Sequence, residues 1–144
     1  MHTIDVVTAD KLEGWFEHDD SVHFHGSFVL HGDNGANDSA AVVIELEPGK
    51  ALGEHTDSPE EILIVMEGDV EFQIGDERQR ATPGTVAVVP SMEPHNMRNV
   101  GTTPARIVGF FPSPHVVSTF VEPIQPLNIQ VLVHGDASQA SAAD

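Results

Sequence analysis

Residues 49–68 read GKALGEHTDSPEEILIVMEG, and this stretch decides the fold. His55, Asp57 and Glu61 fall within seven residues, and the apolar run that follows stops at Gly68. His55 and Asp57 are two apart, so on an extended strand their side chains share a face. Ser58-Pro59 reads as a turn. Beyond it, Glu61, Leu63 and Val65 alternate with Glu60, Ile62 and Ile64. A carboxylate therefore heads an otherwise apolar face, and burying it unpaired would cost on the order of several kcal/mol. It needs a cation or strong donors. Residues 84–99, GTVAVVPSMEPHNMRN, supply a partner, since His95, Met97 and Asn99 alternate there. Two histidines and one or two carboxylates on three strand segments converge only if the strands curl around a common interior. The expectation is a metal site inside a small β-barrel.

The two stretches resemble the paired motifs of the cupin family. The first family motif reads Gly, five residues, His-x-His, three or four residues, Glu, six residues, Gly. Gly49, His55, Asp57, Glu61 and Gly68 stand at those spacings, with Asp57 in place of the second histidine. The second motif reads Gly, five residues, Pro-x-Gly, two residues, His, three residues, Asn. It matches at Gly84, Pro90, His95 and Asn99, with Met92 where a glycine is usual. Fifteen residues separate Gly68 from Gly84, similar to the short spacing of compact microbial members. The resemblance implies an all-β fold, a double-stranded β-helix of the cupin or jelly-roll type. It names no reaction, because one fold hosts many chemistries.

A chain of 144 residues is one domain by size, with room for a real core. Six basic against twenty-three acidic residues give a net charge of −17. That argues against nucleic acid and anionic membranes as partners, because both are bound through Lys and Arg. The acidity fits either a high-salt cytoplasm or an ordinary acidic protein. Without cysteine, neither disulfides nor thiolate chemistry can contribute. No apolar run approaches the roughly 20 residues of a membrane span, and no apolar leader opens the chain. A cytoplasmic protein is expected.

Residues 8–17, TADKLEGWFE, read as a short helix capped by Thr8, with Leu12, Trp15 and Phe16 on one side and Trp15 pinning it to the barrel. SVHFHGSFVL reads as a strand with His23 and His25 on one face and Phe24 on the other. For these histidines a surface role competes with a place for His25 at the pocket wall, or a second metal site. Residues 31–39 form a polar, turn-rich loop. AAVVIELEPG, DVEFQIG, ATPGTVAVVP and ARIVGFF are strands, with Gly75-Asp76 as a hairpin turn. SPHVVSTFVEPIQPL is apolar and broken by proline, more like a peptide laid over the barrel than a hairpin. NIQVLV could add a last strand, to a sheet edge or to a partner subunit, and the small polar tail after it should be disordered. The expected division is a helix and strand packed on the barrel over 1–30, the barrel over 31–127, and a strand and tail over 128–144.

His55 and His95 suit imidazole ligation of a divalent ion such as Fe, Mn, Zn, Ni or Cu. The competing reading is a pair of core histidines. Glu61 adds an anionic oxygen, giving the two-histidine, one-carboxylate set that leaves positions open for substrate or dioxygen. Asp57 either ligates directly, holds a bound water, or stands by. Direct ligation would favour Mn or Fe over copper. Leu63, Val65, Phe72, Met97 and Phe111 are the expected apolar pocket, with His25 at its wall. With no Tyr in the chain and no Arg expected inside, the ligand should be a small neutral or chelating molecule, such as a diketone, phenol, enol or hydroxy acid. The resemblance extends this to a non-haem, metal-dependent oxygenase in which Asp57 or Glu61 takes a proton. A metal-assisted isomerase or lyase and a non-catalytic binding cupin remain alternatives. A homodimer is expected, because the apolar segment Val116–Leu127 exceeds what one barrel needs.

Overall fold

The computed structural model describes residues 1–135, so the tail expected to be disordered lies, from Asp136 onward, outside the described residues. Twelve strands form one antiparallel sheet among them: β1 (Leu12–Phe16), β2 (His23–Leu30), β3 (Ala40–Leu46), β4 (His55–Asp57), β5 (Glu61–Glu67), β6 (Val70–Ile74), β7 (Glu77–Ala81), β8 (Val86–Val89), β9 (His95–Asn99), β10 (Ala105–Phe111), β11 (Val116–Gln125) and β12 (Ile129–His134). Their order is β7-β6-β9-β4-β11-β1-β2-β3-β10-β5-β8, with β12 paired to β11. This is the expected all-β architecture. Among the described residues no helix is long and apolar enough to cross a membrane.

The period-two pattern sets what faces inward. Glu61, Leu63 and Val65 of β5, His95, Met97 and Asn99 of β9, and Ile107 and Phe111 of β10 are all buried. Each large apolar side chain among them contributes about 1.5–3 kcal/mol by leaving water. Gly68 closes β5 with φ +88°, and a Cβ there would stand 2.7 Å from the Ala105 backbone. That position therefore takes glycine.

Two expectations are corrected. The helix over 8–17 is absent. Thr8 sits in a turn closed by the Ala9 amide donating to the Asp5 carbonyl, and Leu12–Phe16 is a strand. It pairs with β2 at Leu12↔Gly26 through Trp15↔His23, and with β11 at Trp15↔Gln125 and Phe16↔Ile124. A ten-residue helix is marginal alone, whereas this strand gains ladder partners on both edges. Phe16 points inward and is buried, while half-buried Trp15 lies outside, edge-on to His23 at 6.2 Å between centroids. Gly14 makes the fit possible, since a Cβ there would meet the Phe24 ring and stand 2.8 Å from Ile124.

The C-terminal segment, too, departs from its reading. Val116–Gln125 is a full strand, and it forms a hairpin with β12. Pro123 falls where the β11–β12 register shifts between Thr119 and Ile124, so its missing N–H leaves no ladder bond unmade. Val116, Ser118, Phe120 and Ile124 are buried in this chain's own barrel. Much of the segment's apolar content thus packs inside the barrel, while Val121 and Leu127 stay exposed.

Candidate metal centre

β4 and β9 pair at a single position, His55 opposite His95, which sets the two imidazoles side by side, 4.1 Å between centroids and tilted by 49°. The His55 Nδ1–H donates to the Gly53 carbonyl at 2.8 Å, and the His95 Nδ1–H donates to the Glu93 carbonyl at 2.9 Å. Each ring is thereby fixed with Nε2 turned inward. Asp57 shares the face of His55, as their spacing requires. Its Oδ1 accepts from the Ser118 hydroxyl at 2.6 Å. Its Oδ2 lies 3.5 Å from His55 Nε2 and 3.1 Å from His95 Nε2. Glu61, heading β5, places Oε1 3.3 Å from His95 Nε2. All four residues are buried.

Asp57 Oδ2, Glu61 Oε1 and His95 Nε2 are buried atoms without a hydrogen-bond partner among the described residues. With Nδ1–H committed to a carbonyl, a neutral imidazole presents the Nε2 lone pair to carboxylate lone pairs. Something positive must lie between them, a proton or a metal ion. Burial pulls the His95 pKa down, but the Asp57 and Glu61 carboxylates outweigh it and raise it to about 10. Burial also works against charge on Asp57, yet the two histidines hold its carboxyl well below the usual range. The Glu61 carboxyl is pushed up, first by burial and then by the charge of Asp57, with His95 offsetting only part. His55, Asp57 and His95 each offer a ligand atom, all within 4.8 Å of one another. Two imidazoles and a carboxylate with a free oxygen fit a divalent ion.

The cupin-domain family model matches residues 42–111, a span that holds all four of these side chains. The chain carries a cupin domain. Solved structures share its fold. A predicted oxalate decarboxylase from Thermotoga maritima is 17% identical, with a TM-score of 0.65 over 78% of this chain and 99% of that one. The polyketide cyclase RemF from Streptomyces resistomycificus is 17% identical, with a TM-score of 0.61 over 81% and 83%. An uncharacterized conserved protein with a double-stranded β-helix domain from Klebsiella pneumoniae is 19% identical, with a TM-score of 0.61 over 82% and 89%. Identities this low speak for the fold alone. No curated protein matches the sequence significantly.

Of the four residues expected at the metal of this cupin, His55, Asp57 and His95 form the mutually close set, and Glu61 meets it at His95. A cavity of about 300 Å³ lies over them, with His55, Asp57, Glu61 and Ser118 in its wall beside Phe24, Phe28, Phe111 and Phe120. From the expected pocket, Phe111 lines this cavity. Leu63, Val65, Phe72 and Met97 are buried in the core and do not line it. His25 is on the outer face, its Nε2 3.7 Å from the Glu13 carboxylate that also meets His23 at 2.7 Å. The strand alternation that turns Phe24 inward turns both histidines out. Sequence reasoning missed Ser118, Phe120 and His134. The inward set Val116, Ser118, Phe120 was visible as period two, but the proline-broken context masked it. It also missed Gly109 of β10, where a Cβ would run into the Glu61 carboxylate. A glycine inside ARIVGFF is the signal, since glycine in a strand marks a close approach.

Proposed function

We propose that this cupin is a metal-dependent enzyme, an oxygenase acting on a small, largely apolar molecule that binds metal through oxygen. The observation that carries this reading is the convergence of three unpartnered, buried polar atoms beside an apolar, phenylalanine-lined cavity. His55, Asp57 and His95 would hold the ion, with Ser118 fixing the orientation of Asp57. When bound, a divalent Fe, Mn, Zn or Ni ion supplies a Lewis acid, and a redox-active one also supplies electrons for dioxygen chemistry. Glu61 has no lysine or arginine partner among the described residues, and burial favours its neutral form. It is the group placed to accept or return a proton at Oε1. The phenylalanine rings exclude water from the reacting end. A phenol or diketone substrate should be consumed, with oxygen uptake, in air and left intact under nitrogen.

The raised Glu61 carboxyl favours a second reading, a metal-assisted isomerase or lyase, in which proton transfer is the whole chemistry. Turnover that survives removal of oxygen would select it. Binding without turnover under either gas would leave a binding protein.

We also propose a homodimer, through a face other than the C-terminal segment. On the outer side of the barrel, Phe110, Ile62 and Val88 form one cross-strand row, and Val108, Ile64 and Val86 form the next. Phe110, Ile62, Val86 and Val88 are exposed. Both rows end at the edge strand β8 and hold no carboxylate. In a chain of net charge −17, such a surface is where a second copy meets least repulsion.

A further inference from the structure

Two ladders of nearly parallel rings line the cavity. One runs from His55 at the metal centre to Phe120, 4.7 Å away at 16°, and on to Phe24 at 6.4 Å and 6°. The other runs from His134 to Phe28, 3.6 Å away at 15°, and on to Phe111 at 5.7 Å and 13°. His134 stands on β12 opposite Val116, and Leu132 stands opposite Ser118, whose other neighbour is Asp57 on β4. His134 is therefore two residues along and two strands across from Asp57, about 12 Å backbone to backbone. Its inward-facing Nε2 is buried without a hydrogen-bond partner among the described residues. His31, at the same end, is occupied differently, with its Nδ1 accepting from the Asp33 amide at 3.3 Å.

We propose that His134 is a second recognition point, which takes a neutral hydroxyl or carbonyl at the end of the substrate remote from the metal. The inference rests on the metal-centre reading for the near end only. An unpartnered buried nitrogen costs free energy until a ligand group satisfies it. A ring ladder at each end favours a flat body between them. Burial, with His31 nearby, holds the His134 pKa down to about 4, so the imidazole is neutral at pH 7 and offers nothing to a carboxylate or phosphate beyond an ordinary hydrogen bond. The substrate class is thus a flat, two-ring molecule with oxygen chelators at one end and an uncharged polar oxygen at the other. A simple dicarboxylic acid would leave both ladders and His134 unused.

The probes are naphthalene-2,3-diol and naphthalene-2,3,6-triol, which differ by one distal hydroxyl. Calorimetry is run on the metal-loaded and the metal-free protein. The triol should bind wild type about 5–10-fold more tightly than the diol, the worth of one buried hydrogen bond. His134→Phe preserves the ring on Phe28 and should erase that gap. His134→Gln restores hydrogen bonding and should recover part of it. No gap in wild type, a gap that persists in His134→Phe, or no binding of either probe would overturn the proposal. A protein that takes up no metal but shows the His134-dependent gap would sink the metal-centre reading and leave this assignment standing.

Discussion

Asp57 occupies the place where the cupin motif usually has histidine, and its shorter side chain still brings Oδ2 to 3.1 Å of His95 Nε2. Asp57→Ala should therefore abolish stoichiometric metal uptake, while Asp57→His should retain it. Ser118→Ala, which frees Asp57 to rotate, should weaken metal binding about 10–100-fold. Glu61→Gln should keep the metal and lower turnover about 100-fold or more. Metal titration beside steady-state kinetics checks all four. Met92 stands where the motif usually has glycine, and it adopts φ +64°. Met92→Gly should raise stability by about 0.5–1 kcal/mol, the relief of a left-handed conformation less the added chain entropy. Chemical denaturation reads that directly. At this scale the cluster of four ionisable side chains was legible, but of the expected pocket wall Phe111 alone was. His55, Asp57, Glu61 and His95 follow from spacings, because strand period fixes which side chains share a face. Ser118 and His134 were not, since their partners lie on strands remote in sequence and no local pattern reports which strands adjoin.

A strand is read from its own alternation, but its value depends on its neighbours. ARIVGFF was recognised with its correct ends, yet the role of Gly109 emerges only where β10 meets β5 at Leu63 and Glu61 follows along the rim. Gly109→Ala should displace the Glu61 carboxylate and cut turnover while metal content stays near one per chain, measured by elemental analysis. β1 was misread because Leu12, Trp15 and Phe16 suit one side of a helix as well as two faces of a strand. The pairing that decides between them is supplied by β2 and by the distant β11. β12 carries a pH signature through His134. Its folded pKa of about 4 lies below the ordinary 6.5, so between those values the unfolded chain binds more protons than the native one. Its contribution is present above pH 6.5 and is lost as pH falls toward 4. His134→Gln should flatten that part of the stability profile, followed by denaturant midpoints across the range.

For the molecule as a whole, the acidic charge and the uncharged outer face act together. Val88→Glu would put a carboxylate at the β8 end of the face and should convert dimers to monomers in sedimentation at micromolar concentration, with metal content unchanged. Added salt should raise the melting temperature of either form by screening the −17 charge. The barrel itself was expected from two motifs, whereas Val116, Phe120 and Ile124 of β11 proved to be interior, while Val121 and Leu127 of the same segment stay exposed. One further consequence belongs to the order in which the chain is made. β1 sits between β2 and β11, pairing Trp15 with Gln125 across most of the described sequence. On the ribosome, Leu12–Phe16 emerges early and waits with one edge bare until β11 follows. Synthesis is thus a race between late closure and premature pairing with another nascent copy. The loop that must close is long, so the barrel should fold on the slow side for its size. A chain stalled before Val116 should leave Phe16 open to protease, and release of the remaining strands should make it resistant.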